Sequence, residues 1–177
     1  ITNVRDIADL RPREPGERSR GSLVSGFLLA DDDAEMLGAA AAREREMRGF
    51  NLLLTDRTGT YWASNRGGGP TRVSPGVHGL SNALLDTPWP KVERAKAALR
   101  DVLAEERAEP SLESLFAILA DDSHPPDELL PDTGVGIELE RALSPIRIAM
   151  PGYGTRSSTV VIVRADGTAT LVERADG

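Results

Sequence analysis

The chain has 177 residues, 40% hydrophobic and 28% charged, the composition of a globular domain large enough to bury one core. Its net charge of −7 speaks against nucleic acid as a partner, because phosphate recognition needs a basic face. Cysteine is absent, which removes disulfides, thiolate metal sites and a cysteine nucleophile from these residues.

The chain opens with Ile1-Thr2-Asn3-Val4, which reads as the end of a strand already under way and leads us to expect a fragment of a longer protein. Arg5 to Arg20 has no apolar period and carries Pro12, Pro15 and Gly16, so it reads as a surface loop. Its length is that of a lid or flap over a site. Ser22 is read as the cap of a short helix with Leu23, Val24, Phe27 and Leu28 on one face. Asp31 to Asp33 begin a second helix, whose Ala39 to Ala42 run lets a neighbour pack closely, with Gly49 as its stop. Phe50 to Thr55 is a buried strand, Asp56 to Gly59 a turn, and Thr60 to Asn65 its hairpin partner. Gly67 to Pro70 is read as a flexible loop, without the Lys and helix of a phosphate-binding loop. Thr71 to Leu80 resumes as strand, in one piece or in two around Pro75.

The longest helix is expected over Pro88 to Glu106, where Val92, Ala95, Leu99, Val102 and Leu103 form a core-facing stripe. Ser111 caps another, with Leu112, Leu115, Phe116 and Leu119 on one face. Asp121 to Gly136 is a second long loop, and Ile146 to Ala149 a short strand. Thr159 to Arg164 and Ala169 to Glu173 alternate across Asp166-Gly167, a strong hairpin signal. Strand, two helices, three strands, two helices and three strands make an α+β layered fold, in a single domain over residues 1–177.

No apolar run is long enough to span a bilayer and no stretch reads as a signal peptide. A cysteine-free, mildly acidic chain of this kind fits a bacterial cytoplasm. Its two histidines, His78 and His124, lack metal-site spacing. The organising stretch is Gly76 to Lys91, which joins strand to helix through Asn82, Asp86, Pro88 and Pro90. Asn82 sits where the strand gives out. A sheet could hold its amide still as a neutral donor to an oxyanion. Alternatively, Asn82 and Asp86 shape the loop and cap the next helix.

Four stretches carry a family likeness: Thr2-Asn3-Val4-Arg5-Asp6; Gly49-Phe50-Asn51-Leu52-Leu53 with Ser64-Asn65; Gly79-Leu80-Ser81-Asn82 with Leu85 to Lys91; and Pro151-Gly152-Tyr153-Gly154-Thr155-Arg156 with Ser157 to Val160. Pro131 to Gly136 and Leu143 to Ile146 add to it. Over nearly its whole length the sequence resembles the Asn-Arg-Asp-Glu (NRDE) family, also called the transport and Golgi organisation protein 2 family. The resemblance implies an N-terminal-nucleophile-hydrolase-like αββα sandwich of antiparallel sheets, truncated at its N-terminus. Full-length members begin with a Cys after the initiator Met, then carry the eponymous motif; neither is in this sequence.

In the bile-salt and penicillin-amide hydrolase branch, an Asn at a strand end donates to the oxyanion, and Asn82 looks like that residue. Asn3 falls where the branch has its other oxyanion-side group, and Arg156 looks like the Arg near the nucleophile. Tyr153 and Trp89 are rim or packing residues, and Arg20 faces the pocket. On this likeness the parent is a cysteine amidase or acyl-transfer enzyme for an amide or thioester, inactive as this fragment. The alternative is a non-catalytic factor handling haem or an acyl lipid, for which His78 and Met150 are the axial-ligand candidates. No cofactor is required by the first reading, and the oligomeric state is open.

Overall fold

The computed structural model describes residues 1–5, 7, 12, 14–31, 33–105 and 109–175. They form a mixed α+β structure with antiparallel sheets and, among the described residues, five α-helices. The chain divides into two compact units, Ile1–Thr87 and Pro88–Gly177.

In the first unit, β1 (Thr2–Asn3), β2 (Phe50–Thr55), β3 (Thr60–Ser64) and β4 (Gly68–Arg72) make one antiparallel sheet in that order. Strand alternation turns Phe50, Leu52 and Leu54 to one face, where they are buried with Tyr61 against α2 (Ala34–Ala42). Burying each such side chain is worth about 1.5–3 kcal/mol. Helix α2 starts where Asp33 Oδ1 accepts from Met36 N at 2.8 Å, as its acidic start suggested. Its approach to the sheet depends on small residues: a Cβ on Gly38 would stand 3.1 Å from Pro70 Cβ. Ahead of it, α1 (Gly21–Leu29) lays Leu23, Val24 and Phe27 on the same core. Leu28, expected on that face, is 75% exposed, and the helix begins at Gly21 rather than after a Ser22 cap.

The loop ahead of α1 falls partly outside the described residues, as do Asp6, Asp32 and Glu106 of the sequence reading. Its described end is tied down: Arg48 Nε donates to Glu17 Oε1 at 2.7 Å, and Arg20 Nη1 to the Gly49 carbonyl at 2.8 Å.

Strand β4 starts inside the glycine run read as a loop and stops at Arg72, short of the expected Leu80. The glycines are what allow it. Gly69 has φ +113, and a Cβ there would lie 2.8 Å from the Trp62 carbonyl oxygen. Beyond Arg72, residues 73–80 run as an irregular arm.

In the second unit, α3 (Pro90–Glu105) and α4 (Leu112–Leu119) pack together, and α4 packs on β7 (Ser157–Val163), which pairs with β8 (Ala169–Ala175). Ser111 caps α4 as expected, its Oγ accepting from Ser114 N at 3.1 Å. Val92 is buried on α3, while Leu103 of the expected stripe is 47% exposed. Two elements escaped the sequence reading. One is α5 (Ile137–Ala142), with six residues too short to show a period. The other is the small hairpin of β5 (Ala149–Met150) and β6 (Tyr153–Gly154), where a strand over Ile146 to Ala149 was expected.

Candidate functional site

The first unit builds its site on the sheet face away from α2. Asn51 points there from an otherwise apolar strand and is wholly buried. Its carboxamide is satisfied on both sides: Oδ1 accepts from Trp62 Nε1 at 3.1 Å, and Nδ2 donates to the Ala83 carbonyl at 2.8 Å. Nδ2 also lies 3.4 Å from Thr2 Oγ1, and that hydroxyl donates to the Ser81 carbonyl at 3.2 Å. Leu84 closes over Gly67 and the Trp62 ring so tightly that a Cβ on Gly67 would stand 2.6 Å from Leu84 Cδ2. Ser81 and Ala83 are therefore fastened to β1 and β2, and Leu84 sits against Gly67.

Asn82 stands in the middle of that fastened segment. Arg5 N donates to its carbonyl at 2.6 Å. Its Nδ2 donates to the Asn3 carbonyl at 3.1 Å and to Asn3 Oδ1 at 2.9 Å. The two asparagines singled out from sequence, 79 positions apart, are thus in direct contact. Asn3, an exposed residue, thus has its Oδ1 held by Asn82.

The base of the Asn82 loop is closed by Asp86. Asp86 N donates to the Gly79 carbonyl at 2.8 Å, and Gly79 N donates to Asp86 Oδ1 at 2.9 Å. Asp86 adopts φ +57, the left-handed conformation that Asp tolerates better than most residues. Its Oδ2 lies 2.6 Å from His78 Nδ1, and His78 Nε2 lies 2.9 Å from the Ser74 carbonyl. Both ring nitrogens of His78 are engaged, so it acts as a strut for the loop. These contacts make Asp86 a residue that shapes the loop.

Arg156 lies in the second unit. It is exposed and has no hydrogen-bond or ion-pair partner among the described residues. Asp132, one carboxylate that could have paired with it, instead accepts from Gly134 N at 3.1 Å. Arg156 lines a hollow of about 610 Å³ together with Arg147, Met150, Tyr153 and Thr155. Tyr153 is 61% exposed at its edge.

Other groups could hold a cofactor or metal only by clustering, and no group of three or more His, Asp or Glu suited to a metal occurs among the described residues. His124 is exposed, with Nδ1 3.0 Å from the Arg141 carbonyl. No helix among the described residues is long and apolar enough to cross a membrane.

The residues that sequence reasoning passed over as site residues are Asn51 and Trp62. A signal was present: a lone Asn in the run Phe50 to Thr55 must find partners if the strand is buried.

Against known proteins, the Transport and Golgi organisation 2 family model matches residues 1–176. The chain belongs to that family. It is 34% identical to the Transport and Golgi organization protein 2 homolog of Bos taurus over 191 aligned residues, covering 93% of this chain and 65% of that protein. The human homolog is also 34% identical, over 89% of this chain and 62% of its own length. The mouse homolog is 32% identical, with coverages of 93% and 65%. The chain thus spans somewhat less than two-thirds of the length of these family members. The family match runs through both compact units, and so includes Asn3, Asn82 and Arg156.

Proposed function

We propose that this chain supplies the oxyanion-binding part of an amide or thioester hydrolase or acyl-transfer enzyme of the N-terminal-nucleophile type. The observation that carries the reading is the Asn3–Asn82 carboxamide pair, whose loop is fastened to the sheet by the neighbouring Asn51–Ala83 hydrogen bond. Rigid neutral donors of this kind stabilise the charge that develops on a carbonyl oxygen under attack, and they do so without reorganising during the step. In this reading Asn82 orients Asn3, and Asn3 Nδ2 is the donor to the oxyanion. Arg156 is the guanidinium of the reading, the group whose charge would favour a thiolate over a thiol. Because the 177 residues hold no Cys, the nucleophile comes from residues outside them. The match through both units supports reading them as one domain with an αββα sandwich architecture, and the antiparallel sheets are compatible with it.

The runner-up, non-catalytic handling of haem or an acyl lipid, fits the site less well. Haem would need an axial ligand, and both nitrogens of His78 are already engaged by Asp86 and Ser74.

The test is an acyl-hydrolysis assay on the longer gene product that contains this chain, with amide and thioester substrates. Asn3→Ala should lower kcat by about 10²–10³-fold, the usual loss for an oxyanion donor, and Asn82→Ala, which releases the Asn3 side chain, should lower it as well. Activity unchanged in both variants would sink the proposal. The 177-residue chain alone should be inert.

A further inference from the structure

The end of strand β4 borders a hollow in the first unit. Arg72, the last residue of the strand, pairs with Tyr61, and Val73 N still donates to the Thr60 carbonyl at 2.8 Å. Pro75 has no N–H with which to carry the ladder further. The arm turns back instead: His78 Nε2 lies 2.9 Å from the Ser74 carbonyl, and Asp86 Oδ2 holds the other ring nitrogen at 2.6 Å. The resulting hollow measures about 690 Å³ and is lined by Gly59, Thr60, Arg72, His78 and the arm from Val73 to Gly76.

Arg72 is positioned there by backbone alone. Its Nη2 donates to the Thr58 carbonyl at 2.8 Å. Gly59, at φ +152, lets the guanidinium lie close over the turn: a Cβ there would stand 3.0 Å from Arg72 Nε and 3.3 Å from Nη2. The bond to Thr58 neutralises no charge, and Arg72 has no ion pair among the described residues. No carboxylate lines the hollow. Asp56, the carboxylate of the same turn, gives Oδ1 to the N–H groups of Thr58 and Gly59 and Oδ2 to that of Ala34.

We infer that this hollow binds the oxyanion of a small ligand, a carboxylate or a phosphate, with the Arg72 guanidinium as its charged anchor. A planar fork of N–H donors matches the oxygens of either group. Val73 and Pro75 supply apolar wall for the body of a ligand, and Ser74 brings a hydroxyl that has no partner among the described residues. The volume falls within the range of about 300–1,000 Å³ usual for small-molecule sites. With a net charge of −7 the chain as a whole repels anions, so saturable anion binding reports a local site. The site needs neither the Asn3–Asn82 pair nor a nucleophile and is judged by binding alone.

The experiment is an NMR titration of the nitrogen-labelled 177-residue chain at low ionic strength, with inorganic phosphate in one arm and propionate in the other. Saturable shifts are expected at the amides of Gly59, Ser74 and Gly76, and the tighter arm identifies the kind of oxyanion. Because this is read on the parent chain, it holds even if a variant folds poorly. Arg72→Ala should weaken binding about tenfold or more, as expected for loss of a charge-assisted hydrogen bond. Arg57→Ala, which removes an exposed charge of the same turn from outside the lining, should bind as the parent does. The inference is overturned by no saturable shift in either arm, by shifts confined to residues outside the hollow, by unchanged binding in Arg72→Ala, or by an equal loss in Arg57→Ala. Failed hydrolysis with anion binding intact would count against the hydrolase reading alone; the reverse would count against this one alone.

Discussion

Asn82 gives both of its amide contacts to Asn3, one to the backbone carbonyl at 3.1 Å and one to the side-chain oxygen at 2.9 Å. One carboxamide thereby sets the orientation of another. The contact bridges β1 and the loop that follows the first sheet, so the geometry of Asn3 is inherited from the fastening of residues 81–84.

Asn82→Ala should cost about 1 kcal/mol of stability, since the bonds it loses are exposed ones. Asn82→Asp should cost more, because it sets an acceptor against two carbonyl oxygens. Urea denaturation of the three proteins checks the order; equal midpoints for both variants would contradict it.

Asn51→Leu is expected to be far more damaging, by about 2–4 kcal/mol, because the Trp62 indole N–H and the Ala83 carbonyl both lose their buried partner. Adding Trp62→Phe removes one of the stranded groups. The double variant should therefore be less destabilised than the sum of the singles, which a double-mutant cycle measures directly. Strict additivity would mean that the indole bond contributes nothing.

Gly67 and Gly69 should respond differently to alanine. At Gly67 the new Cβ meets the far end of Leu84 at 2.6 Å and Trp62 Cη2 at 2.9 Å. The Leu84 end can move, so Gly67→Ala should cost about 1–3 kcal/mol and be partly relieved by Leu84→Ala. At Gly69 the clash is with backbone, 2.8 Å from the Trp62 carbonyl and 2.9 Å from Ala63 Cα, at φ +113. Gly69→Ala should be the worse of the two, with no single side-chain truncation restoring it. Thermal melts of the three variants decide the matter.

Asp56 supplies a pH dependence of known sign. Its carboxyl is lowered from 3.8 to about 2, first by the Thr58 hydroxyl, then by the backbone N–H of Ala34, with the Thr58 and Gly59 N–H groups adding to it. The same carboxylate bridges the turn between β2 and β3 and the first residue of α2, with Ala34 N at 2.8 Å. A depressed carboxyl stabilises the fold above its unfolded value. That contribution should persist down to about pH 4 and vanish as pH falls through about 2. Asp56→Asn should lower the denaturation midpoint at pH 7, and the gap from the parent should narrow between pH 4 and pH 2. A gap constant over that window would show that the carboxylate is not the cause.

Much of this molecule was legible from its residues in order. The apolar run Phe50 to Thr55, the Asp33 and Ser111 caps and the Asp166-Gly167 turn are local signals, and the structure carries each of them. The family motifs likewise singled out Asn3 and Asn82 because they sit in quotable runs. Three things depended on contacts that only folding makes. Strand β4 begins in a glycine run only because Trp62 and Ala63 leave room for backbone there and for nothing larger. Asn51 became the pin of the site because residues 81–84 fold back over it, which no window of sequence around Asn51 contains. Met150 met Tyr153 through the register of a two-residue strand pair too short to show a period. Local propensity and capping act over a few residues and can be read in order; burial, register and close approach are set by partners brought from elsewhere, and appear only once the chain is folded.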